Sequence, residues 1–523
     1  MTDGEMQAFP LTLDRFLDHA AKWHPGVEVV TARGDGSSAR IGYGALAARS
    51  RRTSGVLAGL GVKPGQRVAT LAWNTQAHVE AWYAVMGMGA VCHTLNPRLT
   101  EAQLADMATQ SQARILIAGA DLAPLARRIA ARAPLIERVL VIDAGDARDE
   151  PGDLLEPMIG TAEGEVVWGA FDETAPSGLC FTSGTTGAPK GVTYTHRSSF
   201  LHTLRVLQAD VMAFTADDGI LMAVPMFHAN AWGLPFAAPA VGARLILPGR
   251  YLDGASLAAL INAEDATVGV GVATVWLALL EHLEATGGQT PSLKRIVVGG
   301  APLAPALMER IERGLGVIVQ TSWGMTEMSP SGTVARPTDP ERAAHKSGRT
   351  AIGVDLLLTD AEGRALPEQR GVEGHLKVRG AAVIQRYFGE TESATDPDGW
   401  FATGDLARIS PDGDLIITGR AKDLIKSGGE WINPAEIEAV VSEHPEVSLA
   451  AVIARSDPKW GERPILLVQT RESDTISDEA LLAPLRERVA PWWIPDAVIR
   501  LDQMPLAPTG KIDKMRLRVD YGG

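Results

Sequence analysis

The sequence has 523 residues and a formal net charge of −14, with 46% hydrophobic and 21% charged residues. These proportions are typical of a globular protein and exclude a largely disordered chain, and the length predicts two to four domains. The negative charge disfavours nucleic acid or an anionic membrane as the main partner.

The cysteines and the apolar runs indicate where the protein resides. Cys92 and Cys180 lie far apart and form no metal-binding or disulfide pattern, which favours a reducing environment. The first ten residues are polar and acidic and lack a signal-peptide pattern. The longest apolar run, 268–280, is shorter than the ~20 residues of a membrane-spanning helix. We therefore expect a cytoplasmic protein without a transmembrane segment.

The first part of the chain alternates helix and strand patterns. Residues 11–60 place apolar residues at helical spacing and predict helices. Beyond them the predicted strands are 67–72, 89–95 and 114–118, and the predicted helices are 76–88 and 100–110. This alternation predicts βαβ units and a parallel sheet. Residues 142–177 are acidic and rich in Gly and Pro, and they predict a loop and edge region.

A second alternating series begins near residue 196. It consists of a predicted helix at 196–208, predicted strands at 219–225, 243–247, 294–298 and 316–320, and a helix–strand–helix series through 255–313. From about residue 352 the pattern changes to short strands separated by Gly-rich turns. These strands, at 352–359, 372–379, 405–410 and 414–418, predict a β-barrel-like subdomain.

The C-terminal part of the chain has the pattern of a small α+β unit. Its predicted elements are a helix at 434–443, strands at 448–454 and 463–470, and a helix at 477–490. About 100 residues are enough for an independent domain. We therefore place a domain boundary near Lys422, between an N-terminal domain, 1–421, and a C-terminal domain, 422–523. The predicted fold class is α/β.

The stretch from Phe181 to Val192 is the strongest candidate for binding phosphate. Within ten residues it carries four hydroxyl side chains, three glycines and one lysine: Thr182, Ser183, Thr185, Thr186, Gly184, Gly187, Gly191 and Lys190. Glycines let the backbone approach phosphate oxygens, and a lysine adds a positive charge. The Walker A pattern does not fit this stretch, and a polar surface turn remains the alternative.

Seven motifs then occur in one order along the chain. They are TSGTTGAPKG (182–191), PMFH (225–228), GGAPL (299–303), TSWGMTE (321–327), FATGD (401–405), GRAKDLIKSGGEWINPAEIE (419–438) and PTGKID (508–513). Together they resemble the adenylate-forming superfamily, which contains acyl-CoA synthetases, luciferases and peptide-synthetase adenylation domains. Segments 73–100, 225–236 and 491–496 most resemble medium- and long-chain fatty-acyl-CoA synthetases and the related methylmercaptopropionate-CoA ligases.

This resemblance implies both a reaction with two half-reactions and a particular fold. A carboxylate attacks the α-phosphorus of ATP, with Mg²⁺ on the phosphates, and gives acyl-AMP and pyrophosphate; the thiol of coenzyme A then displaces AMP. The implied fold is a large N-terminal domain of stacked parallel αβα sheets with the β-barrel-like subdomain, followed by a small mobile C-terminal domain. The resemblance also favours a homodimer.

The resemblance assigns most of the motif residues to the nucleotide. The nucleotide set is Thr182, Ser183, Gly184, Thr185, Thr186, Gly187, Lys190, Gly300, Ala301, Pro302, Ser322, Trp323, Gly324, Met325, Thr326, Asp405, Arg420 and Lys511. Among these, Trp323 is similar to the residue that stacks on adenine, and Asp405 to the residue that accepts hydrogen bonds from the ribose. Glu327 and Thr182 are the implied Mg²⁺ ligands. Outside this resemblance, Trp323 would be a core residue and Asp405 a turn residue.

The remaining assignments concern catalysis, the acid and coenzyme A. The implied catalytic residues are Lys511, His228, Glu327 and Thr182, and Lys511 is the implied cation of adenylation. His228 and Trp232 are similar to residues beside the acyl group, although both would otherwise be core residues. Lys422 is the implied hinge. The residues implied to contact coenzyme A are Lys426, Gly428, Gly429, Glu430 and Trp431.

One position departs from the family pattern, and two other functions compete with this one. His375 stands where the family commonly has Glu, and we expect a structural role there. An adenylating enzyme whose acceptor is a carrier protein is one alternative, although no carrier domain is visible after Lys511. A binding protein without catalysis is the other, and the presence of Lys511, Glu327 and Thr186 argues against it.

Overall fold

The computed structural model describes residues 4–144, 153–162, 166–182, 189–471, 476–507 and 511–523. The helices are α1 (Asp14–Trp23), α2 (Tyr43–Gly59), α3 (Gln76–Gly87), α4 (Glu101–Ser111), α5 (Ala123–Arg132), α6 (Leu155–Thr161), α7 (His196–Val206), α8 (Leu234–Val241), α9 (Gly254–Glu264), α10 (Ala273–Thr286), α11 (Pro305–Leu315), α12 (Pro434–Val441), α13 (Asp478–Leu482), α14 (Leu485–Arg488) and α15 (Lys514–Tyr521). Short 3-10 helices lie at Ala120–Leu122, Ala229–Gly233, Thr326–Met328, Ala421–Asp423 and Pro491–Trp493.

The strands are distributed over four sheets. They are β1 (Glu28–Ala32), β2 (Ser38–Gly42), β3 (Arg67–Leu71), β4 (Val91–Thr94), β5 (Ile115–Gly119), β6 (Arg138–Ile142), β7 (Pro176–Phe181), β8 (Gly191–Thr195), β9 (Gly219–Met222), β10 (Arg244–Leu247), β11 (Val268–Gly271), β12 (Arg295–Val298), β13 (Ile318–Gly324), β14 (Ser331–Val334), β15 (Arg349–Thr350), β16 (Val354–Thr359), β17 (Glu373–Gly380), β18 (Phe401–Ile409), β19 (Leu415–Arg420), β20 (Ile425–Ser427), β21 (Glu430–Ile432), β22 (Val447–Asp457), β23 (Gly461–Thr470) and β24 (Val498–Arg500).

Two large sheets form the centre of the N-terminal part. The first sheet has the order β6-β5-β3-β4-β7-β8, and the second has the order β15-β14-β13-β12-β11-β9-β10-β1-β2. The strands at the centre of each sheet run parallel, as the alternation of helices and strands predicts. Apolar residues of α1, α2, α3 and α8 fill the layer between the sheets. Helices α4 and α5 cover the outer face of the first sheet, and α9 to α11 that of the second. The predicted stack of αβα layers is therefore confirmed.

The third sheet takes the place of the expected barrel-like subdomain. Strands β16, β17, β18 and β19 form an antiparallel meander, in which each strand pairs with the next. The two outer strands, β16 and β19, do not pair with each other in the described part of the chain, so the sheet stays open. The predicted short strands are confirmed, and they form an open antiparallel sheet.

The C-terminal part forms the fourth sheet, in the order β21-β20-β23-β22, with β24 beside β23. Helix α12 packs on β22, and a cluster of aliphatic side chains fills the space between them. The single helix predicted at 477–490 is two short helices, α13 and α14, because the ring of Pro484 fits only the start of a helix. Helix α15 follows Lys511 and was not predicted.

Two predictions in the N-terminal part are wrong. Residues 11–60 contain β1 and β2 between two helices, because the β-branched run at 28–32 pairs with β10, some two hundred residues away. Helix α6 occupies part of the stretch that was predicted as a loop. In the described ranges, no helix has both the length and the apolar character needed to cross a membrane.

Candidate functional site

The candidate site lies where the ends of the second and third sheets meet. Strand β12 of the second sheet leads into Gly299 and Gly300, and its neighbour β13 runs through Ser322 and Trp323 to Gly324. Strands β18 and β19 of the third sheet bring Asp405 and Arg420 to the same place. The carboxyl ends of parallel strands are where α/β folds bind ligands. The topology therefore brings the adenine and ribose candidates into one cleft.

Asp405 is the polar centre of this cleft. It is buried, and its Oδ1 lies 2.7 Å from Arg420 Nε, while its Oδ2 accepts a hydrogen bond of 2.9 Å from the indole N–H of Trp323. Burial raises the pKa of this carboxyl, and the positive charge of Arg420 opposes that rise. A carboxylate oxygen can accept two hydrogen bonds, so each oxygen retains capacity for a ribose hydroxyl.

The adenine candidates are Trp323 on β13 and the residues that follow β12. Its indole is buried in the cluster that includes Met328 and the third sheet, and a β-carbon on Gly332 would lie 2.6 Å from it. Ala301 and Pro302 are exposed in the loop after β12. Ser322 donates a hydrogen bond of 3.0 Å from its hydroxyl to the carbonyl of Val298, which joins β13 to β12 at this point.

Lys511 lies in the same cleft although it belongs to the C-terminal part of the chain. Its Cε is 3.6 Å from the position that a β-carbon on Gly300 would occupy. Lys511 is exposed as a whole residue, but the ammonium at the end of its side chain is poorly solvated. This loss of solvation lowers the pKa of Lys511, as does the charge of Arg420, while Asp405 and Glu327 raise it. The backbone N–H of Ala507 donates to the carbonyl of Lys511 at 2.7 Å.

His228 is close enough to Lys511 for their charges to interact. Burial lowers the pKa of His228 to about 4, and the positive charge of Lys511 contributes to the same shift. The imidazole is therefore neutral at neutral pH and can donate or accept one hydrogen bond through each nitrogen. This state suits a residue that positions a substrate carboxylate better than one that supplies a positive charge.

A left-handed turn follows His228 directly. Residues Ala229, Asn230, Ala231 and Trp232 have φ values of 44°, 53°, 47° and 54°, and Gly233 continues the turn with a φ of 79°. Left-handed backbone is unfavourable for residues with a β-carbon, and runs of such residues are held only where the surroundings enforce them. The turn is buried, and it directs the ring of Trp232 against Gly299, where a β-carbon would lie 2.9 Å from Trp232 Cη2.

Glu327 lies in the 3-10 turn that follows β13. Its Oε1 accepts a hydrogen bond of 2.9 Å from the hydroxyl of Tyr387, and Tyr194 donates one of 2.8 Å to the carbonyl of Thr326. Sequence reasoning identified Glu327 and Thr326 but missed both tyrosines. The only available indication was the presence of aromatic residues within 181–195 and 384–388. Tyr194 is 132 residues from Thr326, and Tyr387 is 60 residues from Glu327, so no motif spacing indicates these contacts.

The phosphate-binding stretch is described only at its two ends. The N–H of Thr182 donates to the carbonyl of Lys190 at 2.9 Å, and the N–H of Lys190 donates to Thr182 Oγ1 at 3.2 Å. These bonds bring Thr182 beside Lys190. The predicted residues Ser183, Gly184, Thr185, Thr186 and Gly187 lie outside the described residues.

The chemistry of these donors agrees with a magnesium ion that is held mainly by phosphate. The described residues contain no group of three or more His, Cys, Asp or Glu side chains that could enclose a metal. Magnesium in phosphoryl-transfer sites keeps several waters and takes one or two protein carboxylates together with phosphate oxygens. A single carboxylate at Glu327, with the Thr182 hydroxyl at the loop base, fits that requirement.

The residues predicted to contact coenzyme A form a surface hairpin. Strands β20 and β21 pair at Lys426 and Trp431, and Gly428 and Gly429 make the turn with φ values of 59° and 97°. The ring of Trp431 is 54% exposed, and the Lys426 ammonium lies 5.4 Å from its centroid. In the conformation that places Lys511 in the cleft, this hairpin thus presents its aromatic ring to solvent.

Lys422 lies at the junction between the two parts of the chain, in the 3-10 turn after β19. Its neighbour Asp423 forms an ion pair of 2.6 Å with Arg518 of helix α15. Burial lowers the pKa of Lys422. Its role as a hinge stays a prediction.

Comparison with known proteins identifies the family. The profile of the AMP-binding enzyme family matches residues 17–388, and that of the AMP-binding enzyme C-terminal domain matches residues 436–511. A 3-methylmercaptopropionyl-CoA ligase of Ruegeria lacuscaerulensis is 40% identical over 99% of this chain and 98% of its own. A medium-chain-fatty-acid–CoA ligase of Ectopseudomonas oleovorans is 39% identical over 99% and 97%.

The solved structures agree with this relationship. The crystal structure of ATP-bound MatB from Rhodopseudomonas palustris superimposes with a TM-score of 0.86 at 27% identity, and the match covers 98% of this chain and 99% of that protein. The resemblance found in the seven motifs is therefore confirmed along nearly the whole sequence. The chain belongs to the family of AMP-binding enzymes.

Proposed function

We propose that the protein is an ATP- and CoA-dependent acid–thiol ligase, an AMP-forming acyl-CoA synthetase that acts on a carboxylic acid with an apolar tail. The observation that carries this proposal is the position of Lys511. A cation from the C-terminal part of the chain lies within reach of the charges of Asp405, Arg420 and Glu327. A site that only bound a nucleotide would not need a second domain to deliver a lysine to it.

The first half-reaction would join two anions, so its main requirement is neutralisation of charge and alignment. The acid carboxylate would approach the α-phosphorus from the side of His228 and Gly300. Lys511 would stabilise the charge that develops between them, with Arg420 beside the ribose and Lys190 on the β- and γ-phosphates. Magnesium, held by phosphate oxygens, Glu327 and Thr182, supplies further neutralisation when bound.

The acyl group would lie beside Trp232, where the apolar layer between the two large sheets reaches the cleft. The apolar character of that layer supports an apolar tail rather than a charged or sugar-like one. The relatives that are 39–40% identical act, by name, on 3-methylmercaptopropionate and on medium-chain fatty acids. We propose that the substrate of this protein comes from the same range of thioether and fatty acids.

The second half-reaction would follow a rotation of the C-terminal domain, 422–523, relative to the N-terminal domain, 1–421, about Lys422. Lys511 would leave the cleft, and the hairpin that carries Lys426, Gly428, Gly429, Glu430 and Trp431 would take its place beside the thiol of coenzyme A. The thiol would attack the acyl carbonyl and release AMP. We further propose that the enzyme works in the cytoplasm as a homodimer.

An assay of AMP release tests this function. The purified protein is incubated with ATP, magnesium, coenzyme A and a panel of acids, from short thioether acids to long-chain fatty acids. The expected result is AMP and acyl-CoA in equal amounts, with a preference for part of the panel. Absence of acyl-CoA from every acid, or AMP formation that does not respond to coenzyme A, would contradict the proposal. Stimulation by a carrier protein in place of coenzyme A would favour the alternative acceptor.

A further inference from the structure

Tyr387 contacts two residues of the nucleotide site at once. Its hydroxyl donates a hydrogen bond of 2.9 Å to Glu327 Oε1. The Lys190 ammonium lies 4.7 Å from the centroid of its ring, within the range of a cation–π interaction. A single half-buried side chain thus lies between the candidate metal carboxylate and the lysine that closes the phosphate-binding loop.

The backbone around Tyr387 is attached on both sides. The N–H of Ile384 donates to the carbonyl of Glu327 at 2.8 Å, and the N–H of Phe388 donates to the carbonyl of Gly191 at 2.8 Å. Gly191 follows Lys190 directly, and a β-carbon there would lie 2.9 Å from Phe388 Cβ. Segment 384–388 is therefore bonded to the turn that holds Glu327 and to the strand that begins beside Lys190.

The chemistry of Tyr387 suits a residue that orients two charges without cancelling either. The phenol hydroxyl has a hydrogen to donate, and it donates that hydrogen to the Glu327 carboxylate, which can only accept. An aromatic ring orients an ammonium but leaves its charge available, whereas a carboxylate partner would neutralise it. Groups that hydrogen-bond to a metal ligand orient that ligand and contribute to metal affinity.

We propose that Tyr387 is a positioning residue of the nucleotide site, which orients the Glu327 carboxylate through its hydroxyl and the Lys190 ammonium through its ring, so that both face the same phosphate chain. The proposal rests on the proposed function, because it assigns the phosphates and the magnesium ion of ATP to Lys190 and Glu327. It predicts that the hydroxyl and the ring of Tyr387 have separable effects. The hydroxyl affects the binding of magnesium, and the ring affects the binding of the phosphates.

Two substitutions separate these effects. Tyr387→Phe removes the hydroxyl and keeps the ring, whereas Tyr387→Leu removes both. Tyr251→Phe is the matched control, because it removes a hydroxyl from a tyrosine whose ring packs beside Arg250. Calorimetry measures ATP binding to each protein with excess magnesium and again in EDTA. The expected result for Tyr387→Phe is a loss of about tenfold in affinity with magnesium, typical of removing a hydrogen bond to a metal ligand, and little change in EDTA.

The leucine variant tests the ring. It is expected to lose a further factor of about threefold to fivefold in both conditions, because the cation–π contact to Lys190 is lost as well. Acyl transfer from preformed acyl-adenylate to coenzyme A contains no β- or γ-phosphate and is expected to stay within about twofold of the wild-type rate. This second half-reaction also shows that each variant is folded.

Three results would overturn the proposal. The first is equal affinity of Tyr387→Phe and the wild-type protein for ATP with magnesium, and the second is an equal loss with magnesium and in EDTA. The third is a matching loss of acyl transfer, which would indicate a general disturbance of the fold. Failure of the proposed function itself is distinguishable, because the wild-type protein would then form no acyl-adenylate from any acid of the panel.

Discussion

Asp405 and Arg420 lie opposite each other on adjacent antiparallel strands, and Arg420 Nε is 2.7 Å from Asp405 Oδ1. The carboxylate of this pair is almost completely buried, whereas the guanidinium is 40% exposed. A buried carboxylate needs a charged or hydrogen-bonding partner to remain ionised. Arg420 therefore favours the ionised form of the Asp405 carboxylate in the cleft.

Replacement of this carboxylate by an amide tests its role. Asp405→Asn removes the charge and one acceptor, which leaves Arg420 without its ionic partner. We expect kcat/KM for ATP to fall by about a hundredfold, since hydrogen bonds to charged groups contribute about 1.5–3 kcal/mol each. Steady-state kinetics with ATP as the varied substrate measures the loss.

The third sheet offers a matched control for that experiment. Asp355 and Arg379 are also opposite each other on adjacent strands and form an ion pair of 3.2 Å, but both are exposed. Exposed pairs contribute little, so Asp355→Asn is expected to leave kcat/KM within about twofold of the wild-type value. Similar losses from the two substitutions would contradict a specific role for Asp405 in the cleft.

Replacement of Lys511 is expected to separate the two half-reactions. Lys511→Ala should lower the rate of acyl-adenylate formation by about 10² to 10³, the usual effect of removing one group that stabilises developing charge. Acyl transfer from preformed acyl-adenylate should be retained, because Lys511 is proposed to leave the cleft before that step. Arg516→Ala, on the exposed side of α15, serves as the control. Equal losses in both half-reactions would argue against a role confined to adenylation.

The pH profile of adenylation should report the same residue. A solvated lysine has a pKa of ~10.4. The pKa of Lys511 is lowered, so its ammonium loses its proton at a lower pH than that. The charged form is present below this pKa, and adenylation is therefore expected to decline on the alkaline side. Lys511→Arg keeps a positive charge at all accessible pH values, so its weaker activity should show no such decline. An alkaline limb that persists in Lys511→Arg would assign the ionisation to another group.

The sequence was sufficient to predict the layers of the fold and most of the residues that meet in the cleft. Helical and strand periodicity is a local property, and the family motifs carry Trp323, Asp405 and Lys511 as recognisable units. The sequence did not show which strands pair when they lie far apart along the chain. Strand β13 was expected to end at Gln320, but it continues to Gly324 because Ser322 and Trp323 pair with β14, a partner that the local pattern does not identify.

The same limit explains the missed residues of the site. Tyr387 reaches Glu327 only because segment 384–388 is bonded to the turn after β13 and to the start of β8. The positive φ values at 229–232 could not be predicted either, because alanine and tryptophan give no indication of a left-handed conformation. Both features arise from tertiary contacts, which override local preference.

His93 offers a test of how burial affects stability. It lies fully buried on β4, and neither ring nitrogen has a hydrogen-bond partner in the described part of the protein. Burial lowers the pKa of His93 to about 3. The unfolded chain, with a pKa of ~6.5 at this residue, binds a proton first as the pH falls, so this residue costs stability below that value.

His93→Leu is therefore expected to stabilise the protein, and to do so more at low pH. The gain in the free energy of unfolding should be about 2 kcal/mol larger at pH 5 than at pH 8, from the proton that the unfolded wild-type chain takes up. Denaturant unfolding at the two pH values measures the difference. A gain that is the same at both pH values would mean that His93 does not titrate as inferred.

Gly299 and Trp232 provide the last test, which concerns acyl-chain selection. A β-carbon on Gly299 would overlap Ser322 Oγ and lie 2.9 Å from Trp232 Cη2, so Gly299→Ala should displace the tryptophan ring. Trp232→Ala should enlarge the space beside the cleft and move the preferred acid towards longer chains. It should also lower the free energy of unfolding by about 3–5 kcal/mol, as for other buried aromatic residues.

The two changes should not be additive. In the double variant, Trp232→Ala removes the side chain that Gly299→Ala would contact, and the close contacts with the hydroxyl and the carbonyl of Ser322 remain. We expect the double variant to lose less activity than the product of the single losses, with a coupling of about 1 kcal/mol. The measurements are kcat/KM across acids of increasing length for the four proteins. Strict additivity, together with an unchanged chain-length preference in Trp232→Ala, would show that Trp232 packs near the acyl site without selecting the substrate.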